Sequence, residues 1–177
     1  MSVDNLIVQK FGGSSLAEPS QLHAISARIK GLKDQGHSVI VVVSAMGPTT
    51  NQLEDLAYSV SPKPSRREFD MLLSAGERIS MSLMSMALQD KGCSAISFTG
   101  SQAGVFTCGD HNQARIQKLQ PFRVEEELKK NKVVVLAGFQ GVNPETKEVT
   151  TLGRGGSDTT AVAMAAHFQA KSCQILK

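Results

Sequence analysis

Two segments of the chain place a positively charged side chain among glycines, as an anion-binding site requires. Lys10 precedes two glycines in the segment KFGGSS, and Arg154 is flanked by glycines in the segment LGRGGSD. Glycines let backbone N–H groups approach an anion closely, and a helix that begins after such a loop adds a partial positive charge. Lys10 and Arg154 add full charges. These features together predict that phosphate groups bind at the two loops.

A third loop with a glycine, residues 44–51 with the sequence SAMGPTTN, follows an apolar run. The common nucleotide motifs are absent: the chain has no Gly-Lys dipeptide for a Walker A loop, and Asp158 stands where the dinucleotide fingerprint needs glycine. Each loop alone fits an ordinary tight turn, and Lys10 alone fits a solvated surface lysine. Three such loops, each at a strand end or a helix start and two carrying a cation, favour a functional site.

These loops must be positioned by the elements around them, and the apolar pattern alternates between strands and helices. We predict strands near residues 6–8, 39–43, 93–98, 133–137 and from 173, and helices over 19–36, 66–91 and 158–169. A continuous β-branched run such as 39–43 is typical of a strand buried on both faces of a parallel sheet. The alternation therefore predicts an α/β fold, a three-layer αβα sandwich with a mainly parallel sheet.

The helix over 66–91 is the longest of the predicted elements. Its buried face is expected to consist of the apolar residues Phe69, Leu72, Ile79, Leu83 and Ala87. Gly76 is expected to divide it. The proline-containing segment 61–65 fits a loop between helices, so the sequence predicts a single domain.

The composition excludes several classes of protein. A net charge of +3 and an aromatic content of 5% argue against a nucleic-acid partner, and the longest apolar run, residues 39–43, is far too short to span a membrane. Three cysteines without a CxxC pair fit neither a disulfide framework nor a zinc site, and the N-terminal residues show no secretory signal. We expect a cytoplasmic protein with reduced thiols and no metal ligands.

Several segments, in one consistent order, closely resemble the aspartokinases of the amino-acid kinase superfamily. They are VQKFGGSSL, VVVSAMGPTTNQL, LLSAGERIS, FTGSQAGVFT, and AGFQGV followed by TTLGRGGSDTTAVAMAA. The resemblance covers residues 6–177 and implies the amino-acid kinase fold. It also implies the reaction: aspartokinases transfer the γ-phosphoryl group of ATP, with Mg²⁺, to the side-chain carboxylate of L-aspartate. The product is 4-phospho-L-aspartate, and the reaction is the first step toward lysine (through diaminopimelate), threonine and methionine.

The resemblance implies a role for each matching residue. On the nucleotide side these residues are Lys10, Phe11, Gly12, Gly13, Ser14, Ser44 and Gly47. Lys10 and Asp158 are the implied catalytic residues: Lys10 would lie across the transferring phosphoryl group, and Asp158 would orient Lys10 and help to place the nucleophile. Phosphoryl transfer needs charge neutralised on the phosphoryl oxygens and two reactants held in line. No strong base is required, because a carboxylate is already ionised near neutral pH.

On the aspartate side the implied residues are Thr50, Glu77, Arg154, Gly155, Gly156 and Ser157. Glu77 would bind the amino group of the substrate, and Arg154 would bind its carboxylate, which the guanidinium fork matches. From residue type alone, Glu77 fits a solvated helix residue, and Asp158 fits a helix N-terminal carboxylate with Ser157 as the N-cap.

Aspartokinases continue beyond the matched region with a nucleotide-binding segment and two regulatory ACT domains, which bind lysine or threonine and build a dimer. We therefore expect residues 1–177 to be the substrate-binding N-terminal portion of the kinase domain of a homo-oligomeric parent, without the C-terminal nucleotide lobe and ACT domains, and inactive alone. Two alternatives remain open: another amino-acid kinase, of the acetylglutamate or carbamate type, and a non-catalytic aspartate-binding or assembly fragment. The motifs that contain Glu77 and Arg154 argue against the other kinases.

Overall fold

The computed structural model describes residues 5–177, which form two sheets and the helices that cover them. The strands are β1 Leu6–Phe11, β2 Ser38–Val43, β3 Ala95–Phe98, β4 Val105–Cys108, β5 Arg115–Leu119, β6 Val133–Ala137, β7 Gln140–Val142, β8 Val149–Thr151 and β9 Ser172–Leu176. The helices are α1 Pro19–Asp34, α2 Thr49–Val60, α3 Arg66–Asp90, α4 Phe122–Lys129 and α5 Gly156–His167, with a 3₁₀ turn over Gly13–Leu16. Within the described residues, none of the helices has the length and apolar character needed to cross a membrane.

The larger sheet has five parallel strands in the order β3-β6-β2-β1-β9. Residues 39–43 of its central strand, β2, have no exposed surface, because helices cover both faces of the sheet. Val41 belongs to a core cluster with α1 and α3, and Val42 belongs to a second cluster with α4 and α5. The burial of each valine side chain contributes about 1.5–3 kcal/mol to the free energy of folding. The predicted three-layer αβα sandwich with a mainly parallel sheet is confirmed.

The predicted buried face of α3 is confirmed at Ala87, which is 7% exposed, but it is wrong at two other positions. Ile79 and Leu83 are 52% and 37% exposed, whereas Leu73, Met84 and Leu88 are buried. The same face also buries small and polar residues, namely Asp70, Ser74, Gly76, Glu77, Ser80 and Ser85. Apolar periodicity detects only apolar residues, so it does not recognise the polar residues of this face and assigns exposed apolar residues to it instead.

Gly76 does not divide α3, which is continuous from Arg66 to Asp90. A Cβ atom at position 76 would lie 2.7 Å from the Cβ of Ala45, in the loop after β2. The helix passes this loop closely because residue 76 has no side chain. This close approach brings Glu77, the next residue, to the carboxyl end of β2.

The sequence pattern does not predict the smaller sheet, which has the strand order β5-β4-β7-β8. Its strands have only three to five residues, and β5 has no buried residue. Strands so short and so polar show no run of alternating apolar residues from which to predict them. Because β8 leads directly into the loop that carries Arg154, this sheet positions one wall of the site described next.

Candidate active site

A cleft of about 760 Å³ opens where the carboxyl ends of β1 and β2 meet the first turn of α5. Most of the residues predicted from the sequence line it: Lys10, Gly13, Ser44, Gly47, Thr50, Glu77, Arg154, Gly155, Gly156, Ser157 and Asp158. The three glycine-containing loops therefore meet at one edge of the parallel sheet, where ligands of α/β proteins bind. A cleft of this size accommodates a small substrate together with a phosphate chain.

Three of the predicted residues do not line this cleft: Phe11, Gly12 and Ser14. Phe11 is buried in the core between the sheet and the helices α1 and α3. The N–H group of Gly12 donates to the carbonyl oxygen of Leu176 at 2.9 Å, so β9 already uses that donor. Gly13 is the glycine of this loop that reaches the cleft, and its missing side chain leaves the loop close to the loop after β2.

Lys10 and Asp158 form an ion pair at the wall of the cleft. The Nζ atom of Lys10 lies 2.7 Å from Oδ1 of Asp158. Lys10 is 7% exposed, whereas the side chain of Asp158 is 36% exposed. Because an unpaired charge in such a buried position is unfavourable, the carboxylate fixes the position of the ammonium group.

The first turn of α5 forms the adjoining wall of the cleft. Its N-cap is Gly155, with φ of 77°, and no side chain caps the helix. A left-handed φ suits glycine, and an uncapped first turn leaves N–H groups available to a ligand. Ser157 is buried in this turn, so its predicted role as the N-cap is wrong. A helix N-terminus of this kind favours a negatively charged group.

Glu77 is the buried acid of the cleft, with 4% of its surface exposed. Its Oε1 atom accepts a hydrogen bond from the N–H of Ala45 at 3.0 Å, and its Oε2 atom has no partner among the described residues. Burial raises the pKa of Glu77 to about 7, and the hydrogen bond from Ala45 opposes this rise. The expectation of a solvated helix residue is therefore wrong. A buried carboxylate with a free oxygen suits a positively charged ligand group.

Arg154 carries the opposite charge on the same cleft. It is exposed, in the loop between β8 and α5, whereas Glu77 comes from α3. Thr50, in the first turn of α2, and Ser44, just after β2, add polar groups to the walls. Opposite charges on separate elements suit a zwitterion that is bound at both ends, beside Lys10 and the first turn of α5.

The sequence prediction misses several residues that line the cleft: Asn51, Glu54, Phe69, Leu73, Asn112, Gln113, Phe139 and Thr151. Asn112 and Phe139 have positive φ values of 68° and 70°, which are uncommon for residues other than glycine. Phe139 belongs to the AGFQGV segment, so a signal for it is present in the sequence. Asn112 lies between β4 and β5 in a segment without any motif. Within residues 5–177, no three His, Cys, Asp or Glu side chains cluster as metal ligands would.

Comparison with known proteins identifies the family of this chain. The family model described as "Amino acid kinase family" matches residues 5–177. The chain is 56% identical over 170 residues to the aspartokinase of Mycobacterium tuberculosis, covering 96% of this chain and 40% of that protein. The chain spans about 40% of the length of the curated relatives it matches.

Solved structures show the same fold. The crystal structure of aspartate kinase from Synechocystis matches with a TM-score of 0.81 and 50% identity, over 96% of this chain and 28% of that chain. E. coli aspartokinase III, solved in complex with aspartate and ADP, matches in fold with a TM-score of 0.82 and 22% identity, over 96% of this chain and 48% of that chain. Because the family model covers all the residues described here, the chain belongs to the amino acid kinase family.

Proposed function

We propose that this chain is the substrate-binding portion of an aspartate kinase, which transfers the γ-phosphoryl group of ATP to the side-chain carboxylate of L-aspartate. The observation that carries the proposal is one cleft with the Lys10–Asp158 ion pair on one wall and buried Glu77 on another. The proposal is supported by 50–56% identity to curated aspartokinases and to a solved aspartate kinase. It is further supported by the likeness in fold to E. coli aspartokinase III, whose crystal structure contains aspartate and ADP.

In the proposed reaction, the residues of this chain bind and orient, and the substrate supplies the nucleophile. Glu77 holds the amino group of aspartate, and Arg154 holds its α-carboxylate. The side-chain carboxylate then attacks the γ-phosphorus of ATP, a new O–P bond forms, and the bond to the bridging oxygen of ADP breaks. The products are an acyl phosphate and ADP. Lys10 and the N–H groups of the first turn of α5 stabilise negative charge on the transferring phosphoryl group.

Asp158 has two parts in this proposal. It fixes the ammonium of Lys10, and its partly exposed carboxylate is the kind of oxygen ligand that Mg²⁺ prefers. Bound Mg²⁺ neutralises charge on the phosphates in kinases generally. Because the attacking carboxylate of aspartate is ionised near neutral pH, no residue of the cleft has to act as a general base.

A specific observation favours aspartate over an N-acylated amino acid such as acetylglutamate. The Oε2 atom of Glu77 is buried without a partner among the described residues, and an ammonium group would satisfy it. An acetylated amino group is neutral and would leave the buried carboxylate unpaired when it is ionised, which is costly. The motif around Glu77 thus favours a free amino acid as the substrate.

We further propose that the parent protein is a cytoplasmic homo-oligomer that acts in the formation of lysine, threonine and diaminopimelate. Residues 5–177 would contribute the aspartate site and the phosphate-facing loops of its kinase domain. The identity to aspartokinases supports the pathway, and the three unpaired cysteines, Cys93, Cys108 and Cys173, fit a reducing compartment.

The test is a coupled ADP-release assay on the gene product that carries this sequence, with Mg-ATP and millimolar aspartate. We expect turnover in the usual enzyme range of about 1–10³ s⁻¹, with an acyl phosphate that hydroxylamine traps. Glutamate and N-acetylglutamate serve as competing substrates, and the Glu77→Gln variant serves as the control. Faster turnover of N-acetylglutamate would contradict the proposal, and aspartate binding without turnover would favour the non-catalytic alternative.

A further inference from the structure

Asp70 is a buried carboxylate that the proposed reaction does not use. It lies on α3 on the same face as Glu77, since residues seven positions apart align on a helix. Its side chain has no exposed surface, and it does not line the cleft. A buried carboxylate is unfavourable unless hydrogen-bond donors surround it, so its partners indicate what it holds in place.

Asp70 accepts hydrogen bonds from two separate segments of the chain. In β8, the N–H of Thr151 donates to Oδ2 at 3.0 Å and its hydroxyl donates to Oδ1 at 2.6 Å. In the turn between β4 and β5, the N–H of Asn112 lies 3.1 Å from both oxygens, and Nδ1 of His111 lies 2.8 Å from Oδ2. One carboxylate therefore joins the 111–113 turn to the strand that leads to Arg154.

The two segments also contact each other beside the cleft. The N–H of Ala114 donates to the carbonyl oxygen of Thr151 at 3.0 Å. A Cβ atom at Gly153 would lie 3.1 Å from the carbonyl oxygen of Asn112, so the turn packs directly on the loop of Arg154. Asn112 and Arg154 both line the cleft, and the Oδ1 atom of Asn112 has no partner among the described residues.

The surface at the start of α3 adds only weak ties between the same segments. Arg67 lies 2.8 Å from Glu148, beside β8, and Arg66 lies 4.0 Å from Asp110, beside the turn. Exposed ion pairs such as these are screened by water and contribute little. Asp70 is therefore the buried group of α3 that is hydrogen-bonded to both the turn and β8.

We propose that Asp70 is a positioning residue for the aspartate end of the cleft. It holds the 111–113 turn and the Arg154 loop in the arrangement that receives the α-carboxylate of the substrate. This inference rests on the proposed function, because it names aspartate as the ligand. Asp70 acts through Arg154 and Asn112 and has no contact with the substrate.

The experiment measures steady-state kinetics of the gene product that carries this sequence, wild type against Asp70→Asn. The amide places an NH₂ group against donors of the turn and of β8, so the hydrogen bonds that hold both segments on α3 become weaker. We expect KM for aspartate to rise about tenfold or more, with KM for ATP changed less than about twofold, because only the aspartate end moves. In an Arg154→Ala background, Asp70→Asn should add little further change, since coupled residues are non-additive.

The control is Glu127→Gln, which removes the charge of another buried carboxylate. Glu127 lies on α4, pairs with Lys130 and Lys132, and does not line the cleft. The KM values of this variant should equal those of the wild type. If circular dichroism shows that the Asp70→Asn variant is unfolded, His111→Ala replaces it in the same comparison with Arg154→Ala. This variant removes one hydrogen-bond donor and keeps the carboxylate. Equal rises in both KM values, or a full effect in the Arg154→Ala background, would overturn the inference. Failure of the wild type to use aspartate would instead overturn the proposed function.

Discussion

The ammonium group of Lys10 lies 2.7 Å from the carboxylate of Asp158, and this contact joins the first strand of the larger sheet to the helix α5. Lys10 comes from the carboxyl end of β1, and Asp158 comes from the first turn of α5. The ion pair holds a nearly buried positive charge in place before any ligand arrives. A charge fixed in this way is preorganised for a developing negative charge and does not have to reorient during a reaction.

Lys10→Ala should therefore lower kcat by about 10²–10³-fold, the effect of losing one preorganised charge, with little change in KM for aspartate. Lys30→Ala is the matched control, because Lys30 is also 2.7 Å from an aspartate, Asp34, but on the exposed surface of α1. Steady-state kinetics of both variants would check the prediction. A fall in kcat of less than about threefold for Lys10→Ala would place Lys10 outside the phosphoryl-transfer site.

The larger sheet and the position of the cleft could be predicted because their signals are local. The run 39–43 consists of β-branched residues, and each glycine-containing loop directly follows a strand or precedes a helix. The geometry of parallel sheets then brings the loops to one edge. Lys10 lies at the carboxyl end of β1 and Arg154 lies in the loop before α5, so the parallel topology brings both charges to this edge.

The other parts of the site depend on contacts between distant segments, which no local pattern reveals. Asp70 appears in the sequence as one acid on a charged helix, and its partners Asn112 and Thr151 lie far along the chain. The buried face of α3 is polar where it meets the cleft, so apolar periodicity misplaces Ile79 and Leu83. Residues at a functional site often break the patterns on which such predictions depend.

Gly76→Ala should destabilise the protein, because the new methyl group would meet the Cβ of Ala45 at 2.7 Å. We expect the free energy of unfolding to fall by about 1–3 kcal/mol, the usual cost of overpacking. Gly31→Ala is the matched control, because Gly31 lies in α1, where a new methyl group would meet no atom within 4 Å apart from the backbone of its own helix. Alanine should stabilise that helix by roughly 0.5–1 kcal/mol. Urea unfolding measures both changes in the free energy of unfolding. If Gly76→Ala stabilised the protein as Gly31→Ala should, the close packing of α3 on the loop after β2 would be contradicted.

Arg154→Lys should weaken aspartate binding although it keeps the charge. A guanidinium can donate two parallel hydrogen bonds to a carboxylate, whereas an ammonium is a point charge. We expect KM for aspartate to rise about tenfold or more, as for the loss of one charged hydrogen bond. Arg123→Lys is the control, since Arg123 stacks 4.6 Å from the ring centre of Phe98 and does not line the cleft. An unchanged KM in Arg154→Lys would remove Arg154 from the proposed carboxylate site.

The protonation of Glu77 should control aspartate binding near neutral pH. Burial raises the pKa of Glu77 to about 7 in the free protein, so its ionised fraction grows as pH rises through that value. An ammonium group of the ligand favours the ionised form and lowers the pKa, so binding near pH 7 must release protons. We expect affinity for aspartate to fall about tenfold between pH 8 and pH 6, as the ionised fraction falls. Calorimetry in two buffers of different ionisation enthalpy measures the protons released.

Glu77→Gln is the decisive control for this linkage, because the amide keeps the shape of the side chain but cannot ionise. Its aspartate affinity should be weaker by about 1.5–3 kcal/mol, without proton release around pH 7. The folded state should respond as well. In the wild type, the pKa of Glu77 is higher in the folded state than in the unfolded state, so its contribution to stability declines as pH rises from 4.5 to about 7 and is constant above that. The stability of the variant should lack this pH dependence. Proton release that persists in Glu77→Gln would assign the titration to another group of the cleft and remove Glu77 as the ligand of the substrate amino group.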